Sequence, residues 1–355
     1  MSNRANHRFE LWNRLTPIVC YANVFISYMP LIILPIFTFN LTNSFFIASL
    51  SVSFWRLITY FKFYLFRRFL CIKPVRLVLF ILLLAYTITN WNIELKLIIF
   101  LYFHSLIYSN SENEKIKKKR NWVFILIIVG MLFSGIVIEN ICFIYILIGL
   151  ILVCYVFLDF SPGKPQIVIK RQLPDIVITD YILAAFHNFQ YYFYAFLVPI
   201  LYVNFHYLAG LGVALSWILF LPQKKILNVF FSKWSFRIII VIGFIITGLL
   251  LVIIGCTNNI LLISICLFFQ GITGGLSESY WDFASIKSNP RPYWNIWKIM
   301  GIAGSLIGGF FMSFFSTELI IIIAGAFAII FGFVYLILGR GKTHYDSIKG
   351  SNQNL

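Results

Sequence analysis

The sequence predicts an all-helical integral membrane protein with about twelve transmembrane helices, arranged as two six-helix halves with both termini cytoplasmic. Of its 355 residues, 61% are hydrophobic and 11% are charged, and the mean hydropathy is +0.90. Soluble domains are only about half apolar. In addition, 26 of the 28 Lys and Arg residues fall in seven short clusters. Consecutive clusters are separated by enough apolar chain for two crossings, and basic loops mark the cytoplasmic side.

The basic clusters place the helices of the first half, residues 1–160. The clusters are Arg4–Arg14, Lys62–Arg76, Lys115–Arg120, Lys164–Arg171, Lys224–Arg237, Lys287–Lys298 and Arg340–Lys349. A spanning helix needs roughly 20 mainly apolar residues. The first six helices are therefore predicted at 16–38, 43–63, 75–91, 94–110, 121–138 and 140–159. The outer face then carries few charges, namely Glu94, Lys96, Glu139 and Glu318.

The second half is predicted over 179–340, after a proline-containing basic linker at 161–178 and before a polar cytoplasmic tail at 341–355. Its helices are predicted at 179–202, 206–222, 236–255, 259–279, 296–315 and 318–338. Trp55 and Trp217 each precede a helix end, a basic loop and a new apolar run. This similarity indicates a six-helix repeat in parallel orientation, an arrangement typical of transporters that rock around a central site. The alternative is chance similarity between two basic loops.

Two glycine-rich stretches lie in the tenth and eleventh predicted helices, GITGGLSESYWD and KIMGIAGSLIGGFF. They contain Gly271, Gly274, Gly275, Gly301, Gly304, Gly308 and Gly309. With the six-plus-six topology, these stretches resemble the major facilitator superfamily. The loop YLFRRFLCIKPVRL keeps the family's basic residues but lacks its signature Gly and Asp. The resemblance implies alternating access around a cavity lined by helices one, four, seven and ten. Each glycine can also be a plain packing contact, because small residues let membrane helices approach closely.

Candidate site residues are the few polar groups inside predicted spans, where ionisable side chains are costly and often functional. Arg56 lies within the second span, where it could bind an anionic substrate or extend to the inner interface. The seventh helix carries a stripe of Asp180, Ala184, His187, Tyr191 and Tyr194, with Gln190 beside it. The stripe suits a substrate cavity, although interhelical hydrogen bonding with an interfacial aromatic belt is the alternative.

The other helices of the implied cavity contribute fewer candidates. Asn23 and Tyr28 lie in the first helix before Pro30, which is expected to kink it, and His104 lies in the fourth. We therefore expect substrate binding by Asn23, Tyr28, Arg56, His104, His187, Gln190, Tyr191 and Tyr194. A coupling proton could be carried by His104, His187, Asp180 or Glu278, since histidine titrates near neutral pH. A histidine that is simply a packing partner is the alternative in each case.

Motifs for other classes of protein are absent from the sequence. There is no GxxxxGK[ST] phosphate loop, HExxH or GxSxG motif, so neither an enzyme nor a bound cofactor is predicted. The six cysteines have no CxxC spacing, and no metal site is expected. The net charge of +16 is explained by cytoplasmic loops and anionic lipid headgroups, so no nucleic-acid partner is expected.

The predicted function is secondary active transport of a small molecule by a monomer in the plasma membrane, with the bilayer as its surroundings. The aromatic stripe and the lack of a central carboxylate favour an exporter of an amphipathic or aromatic compound. The composition, rich in Ile, Asn, Lys and Phe, suggests a bacterial cell membrane. The alternative is a non-transporting polytopic component, such as a sensor, an immunity factor or a subunit of a membrane complex.

Overall fold

The computed structural model describes residues 18–60, 72–107, 120–157, 178–218, 236–287 and 291–338, and within them the chain is all-helical without a β-strand. The α-helices are α1 Ile18–Ile26, α2 Pro30–Thr42, α3 Phe45–Tyr60, α4 Lys73–Ile88, α5 Ile93–Ile107, α6 Arg120–Glu139, α7 Ile141–Phe157, α8 Ile178–Ala195, α9 Ala209–Ile218, α10 Phe236–Gly255, α11 Ile260–Lys287, α12 Arg291–Phe311 and α13 Thr317–Leu338. A 3-10 segment, Ile200–Leu208, precedes α9. Except for Ile178, the predicted linker lies outside the described residues, as does the predicted tail.

Two of the described helices contain stretches long and apolar enough to cross a membrane, Ile238–Gly255 and Thr317–Ile337. The bent pair α1 and α2 gives a third if it is counted as one span. Shorter apolar helices make up most of the rest: Phe45–Tyr60, Pro74–Ile88, Ile125–Glu139, Ile141–Val156, Ile260–Thr273 and Ile296–Phe311. The helical class and the apolar spans agree with the sequence prediction, whereas the count of twelve spans stays a prediction.

The first predicted helix is broken in its middle. The axes of α1 and α2 differ by 47°, and a turn at residues 27–29 separates them. Pro30 is the first residue of α2, where its missing N–H costs nothing, but it cannot donate to the carbonyl of Ile26 and so cannot continue α1. The kink expected at Pro30 is confirmed.

The seventh helix ends earlier than the predicted residue 202. Helix α8 stops at Ala195, and the chain continues through turns into the 3-10 segment, whose backbone departs from helical angles at Tyr202 and Phe205. Pro199 has no N–H to donate to the carbonyl of Ala195, four residues earlier. The predicted outer turn near Asn204 is therefore a 3-10 segment that leads directly into α9.

The described helices pack most extensively as α10 against α13 and α8 against α12. Helix α12 also packs against α3, and α9 packs against α6 and α11. Backbone contact explains the glycines of α12: a methyl group at Gly304 would collide with the carbonyl of Phe189, and one at Gly308 with the carbonyl of Phe193. The packing interpretation is confirmed for these two glycines, and Gly271 abuts the carbonyl of Ser216 in the same way. For Gly274 and Gly275 the Cβ environment lies outside the described residues.

Many large apolar side chains point away from the protein. Examples are Ile88 at 80% exposure on α4, Leu261 at 67% on α11 and Ile337 at 64% on α13. None of the described side chains of α4 is buried. Such continuous apolar surface is rare on soluble monomers and is suited to lipid. The exposed surface thus supports the same membrane assignment as the apolar spans.

Candidate functional site

Arg56 lies among aromatic rings between α3, α8 and α12. Its side chain is 1% exposed, and its guanidinium carbon is 3.2 Å from the ring centroid of Tyr192, 4.6 Å from that of Tyr60 and 5.7 Å from that of Trp297. Its Nη2 group donates a hydrogen bond to the Tyr60 hydroxyl. Aromatic faces carry partial negative charge and attract cations. Arg56 is therefore held inside the helix packing rather than extended to an exposed interface.

The same cluster includes an amide and a second cation. Asn188 Nδ2 donates to the backbone carbonyl of Trp297, and both Asn188 and Arg56 lie against Gly301, where a methyl group would collide with the Asn188 amide. The ammonium of Lys298 is 5.7 Å from the ring centroid of Tyr60. We call Arg56, Tyr60, Asn188, Tyr192, Trp297, Lys298 and Gly301 the Arg56 cluster. The Arg56 cluster thus contains two cationic side chains that each lie near the ring of Tyr60.

A second group of side chains joins four parts of the fold. The ring of Tyr28, in the turn between α1 and α2, lies 5.0 Å from the ring of Trp217 on α9. Trp217 Nε1 donates to the hydroxyl of Tyr191 at 3.2 Å, and the rings of Tyr191 and Tyr194 are 5.9 Å apart on α8. Gln270 on α11 donates from Nε2 to the hydroxyl of Tyr194. We call these five residues the aromatic chain.

Two predicted site residues from the first and fourth predicted helices contact each other directly. His104 Nε2 and Asn23 Oδ1 are 3.0 Å apart, and the two side chains are 1% and 0% exposed. Within the described part of the chain, Asn23 Nδ2 has no hydrogen-bond partner. The pair links α5 to α1 in the interior. This geometry fits a buried interhelical hydrogen bond as well as a polar site.

The predicted stripe of α8 does not face a single neighbour. The His187 ring lies 6.1 Å from that of Phe244 on α10. Gln190 Nε2 donates to the carbonyl of Ala324 on α13 at 3.4 Å. Tyr191 and Tyr194 belong instead to the aromatic chain. The helix positions of Asp180 and Glu278 are described, but their side chains, and that of Ala184, lie outside the description.

Two charged side chains that the sequence predicts near outer turns have structural partners. Lys96 is 3% exposed, and its Nζ donates to the carbonyls of Thr87, at 2.9 Å, and Thr89, while its place on the outer side stays a prediction. The ammonium thus satisfies carbonyls at the C-terminal end of α4, which have no helical partners of their own. Glu139, at the end of α6, accepts a hydrogen bond from the backbone N–H of Tyr207 at 3.0 Å. Glu139 therefore connects α6 to the 3-10 segment.

The sequence prediction omitted several residues of these clusters. Asn188 and Tyr192 are four positions apart on α8, so their common face was visible in the sequence. In the sequence, Trp217 belongs to the predicted repeat, and Trp297 lies within the basic cluster Lys287–Lys298, whose charges indicate a cytoplasmic loop. Gln270 lies in the tenth predicted helix, directly before the glycine-rich stretch, and no local pattern there indicates its partner. Their partners come from distant parts of the chain, which periodicity alone does not reveal.

Among the described residues, no three His, Cys, Asp or Glu side chains come together as metal ligands would. Comparison with known proteins gives no match, either to a family model or to a curated protein. The site is therefore interpreted from its geometry.

Proposed function

We propose that the chain is a secondary active transporter of the plasma membrane that works by alternating access, with twelve spans in two halves, 1–160 and 179–340. The observation that supports it best is the contact between these halves. Helix α3 packs on α12, and α6 packs on α9 and the 3-10 segment. The Arg56 cluster and the aromatic chain lie where the halves meet. Polar groups at such an interface are well placed to meet a substrate.

The two contacts are equivalent under a six-helix repeat. The repeat relates the second predicted helix to the eighth and the fifth to the eleventh. The second and eleventh predicted helices are α3 and α12, and the eighth and fifth are α9 and α6. Under the repeat, the contact of α3 with α12 is therefore the counterpart of the contact of α9 with α6. Small residues stand at both: Gly309 abuts Ser49, and Gly210 abuts the carbonyl of Met131. This symmetry supports two related halves that can rock against each other.

The sequence repeat falls on the same contacts. Ser49 lies six positions before Trp55, and Gly210 lies seven positions before Trp217. The two tryptophans therefore follow the two interface contacts at nearly the same distance along α3 and α9. A chance similarity between basic loops would not be expected to coincide with equivalent helix contacts. The coincidence supports the repeat.

The chemistry of the interface favours an aromatic or amphipathic small molecule. Rings of Tyr28, Tyr191, Tyr194 and Trp217 offer stacking surfaces, while hydroxyl and amide groups offer hydrogen bonds. Arg56 and Lys298 add positive charge at one end of the same interface. We propose export of such a compound. His104, His187, Asp180 and Glu278 are the candidate carriers of a coupling proton.

Alternating access can be tested without knowing the substrate. Spin labels at Asn43, in the turn between α2 and α3, and at Ser316, in the turn between α12 and α13, report the separation of the halves at their outer ends. We expect two distance populations in nanodiscs, with proportions that change with pH if a proton is coupled. A single population under all conditions would instead support the non-transporting alternative.

Transport itself is measured in proteoliposomes loaded with carboxyfluorescein, an aromatic anion, or ethidium, an aromatic cation. We expect release of at least one dye to be faster with protein than in empty liposomes, and slower with Arg56→Ala or His187→Ala. Ser134→Ala is the matched control, because this buried serine donates to the carbonyl of Gly130 in its own helix. Release no faster than in empty liposomes, together with a single distance population, would overturn the proposal.

A further inference from the structure

Gln270 uses only one end of its amide. The side chain is 4% exposed, and Nε2 donates to the Tyr194 hydroxyl. Its Oε1 is enclosed and has no hydrogen-bond partner among the described residues. An enclosed acceptor without a partner is unfavourable, and native structures contain few of them. The atom therefore needs an additional donor that the described helices do not supply.

The enclosed acceptor adjoins an aromatic environment. Tyr194, which binds the other end of the Gln270 amide, is 1% exposed and lies in ring contact with Tyr191. Trp217 is at the same level of the fold, since the residues next to it and to Gln270, Ser216 and Gly271, are in backbone contact. The unpaired acceptor therefore lies on a residue whose neighbours in the fold include the rings of Tyr194 and Tyr191 and the level of Trp217.

The ring that completes the aromatic chain comes from the broken first span. Tyr28 lies in the turn between α1 and α2 and packs on Trp217 from the first half of the chain. Non-helical backbone inside a membrane protein is tolerated where it is buried in protein or lines a cavity. Helices α8, α9 and α11 of the second half supply the rest. The aromatic chain thus spans both halves.

We infer that the aromatic chain binds a planar aromatic ligand that carries an N–H or O–H donor, and that Gln270 Oε1 selects for this donor. The inference rests on the proposed transport function and specifies its substrate class. Stacking surfaces are provided by the rings of Tyr28, Trp217, Tyr191 and Tyr194. The N–H or O–H group of the ligand donates a hydrogen bond to Gln270 Oε1. A ligand of the same shape without a donor would leave Oε1 unpaired.

The test is a binding measurement that does not require transport. Tritiated indole, which has one N–H donor, is equilibrated with the protein in nanodiscs and displaced by unlabelled indole or by benzofuran, which has the same shape without the donor. Empty nanodiscs correct for partition into lipid. We expect indole to bind at least about tenfold more tightly than benzofuran, as the pairing of one buried acceptor predicts.

Variants of Gln270 test whether this residue causes the preference for indole over benzofuran. Gln270→Met keeps a similar volume without the acceptor and should bind indole and benzofuran equally. Gln270→Glu restores an oxygen acceptor and should restore the preference for indole. Ser264→Ala is the control on the same helix: it removes the 2.9 Å hydrogen bond to the Tyr202 hydroxyl but no contact of the aromatic chain. Thermal unfolding of each variant verifies that it is folded.

The outcomes separate this inference from the transport proposal. Equal affinity for indole and benzofuran in the wild type would overturn the inference about the aromatic chain. It would indicate that a buried water donates to Gln270 Oε1. A preference that survives in Gln270→Met would also overturn it. If the preference is present but the halves show one distance population, the binding site stands and alternating access falls. If the halves show two distance populations but the wild type binds indole and benzofuran equally, alternating access stands and the inferred binding site falls.

Discussion

Ser53 and Ser305 share a hydrogen bond of 2.6 Å between their hydroxyl oxygens, although they are 252 positions apart in the chain. The bond is one step of a regular antiparallel register between α3 and α12. The neighbouring steps pair Ser49 with Gly309, Arg56 with Gly301, and Tyr60 with Trp297, whose rings are 5.9 Å apart. The paired side chains thus become larger from the Ser49 end of the contact to the Tyr60 end. The small end permits close approach, and the large end contains the Arg56 cluster.

The backbone contact between α8 and α12 predicts the effect of added methyl groups. Gly308→Ala should destabilise the protein by ~1–3 kcal/mol, because the new Cβ would overlap the carbonyl of Phe193. Gly149→Ala on α7 is the matched control, since no neighbouring atom lies within 4 Å of the position that its methyl group would occupy. It should be neutral or stabilising by up to ~1 kcal/mol. Unfolding in SDS titrations measures both, and equal destabilisation would contradict the contact.

The cation–ring contact between Arg56 and Tyr192 predicts coupling between the two residues. In a double-mutant cycle with Arg56→Met and Tyr192→Leu, we expect a coupling free energy of ~0.5–2 kcal/mol. Tyr192→Phe keeps the ring face and should retain most of it. The SDS unfolding free energies of the four proteins give the coupling. A value near zero would mean that the ring contact contributes nothing.

The pair Asn23 and His104 makes a similar prediction in the first half. A cycle with Asn23→Ala and His104→Ala should give a coupling of ~0.6–1.7 kcal/mol, the range found for hydrogen bonds between membrane helices. The control cycle combines His104→Ala with Ser134→Ala, whose hydroxyl bonds within its own helix. That cycle should show no coupling. Equal coupling in both cycles would argue against the direct bond.

Lys96 should matter more to stability than its position in the first turn of α5 suggests. Lys96→Met keeps the length of the side chain but leaves the carbonyls of Thr87 and Thr89 without its ammonium, and we expect a loss of ~1–3 kcal/mol. Glu94→Gln, in the same turn, should change stability by less than ~0.5 kcal/mol. Amide hydrogen exchange at the end of α4 provides a local measure. Unchanged exchange in Lys96→Met would exclude the capping role.

The bond between Glu139 and Tyr207 predicts restricted access to the adjoining end of α9. A cysteine at Val213, which is 2% exposed and one turn along α9 from Gly210, is labelled with a membrane-impermeant maleimide in a background without native cysteines. Glu139→Ala should raise the labelling rate about fivefold, as expected for the loss of ~1 kcal/mol of closure. Glu139→Gln keeps an acceptor oxygen and should label like the wild type. Equal rates in all three proteins would show that the bond does not control access.

The sequence was sufficient for features determined by local chemistry. Apolar runs predicted the helices, and Pro30 predicted the break in the first predicted helix. The early end of α8 is also predictable from the sequence, because Pro199 has no N–H to donate to the carbonyl of Ala195. Local rules suffice where the cause lies within four residues along the chain.

Features that depend on distant residues could not be obtained in this way. The burial of Arg56 among rings requires Tyr192 and Trp297, which only the packing of α3 on α8 and α12 brings near. The sequence places Lys96 beside Glu94 but does not reveal a partner for its ammonium. The fold directs this ammonium back to α4, where the carbonyls of Thr87 and Thr89 need donors.

Helix α4 has polar attachments at both ends and no buried side chain among those described. Lys96 holds one end, and at the other the hydroxyl of Tyr155 donates to the carbonyl of Arg76 at 3.0 Å. With 16 residues, α4 is about 24 Å long, shorter than a hydrocarbon core of about 30 Å. In the proposed twelve-span arrangement, this mismatch is accommodated by thinning of the bilayer or by tension on the two attachments. The thickness of the surrounding lipid then acts mechanically on this helix, so that acyl-chain length is expected to strain its attachments.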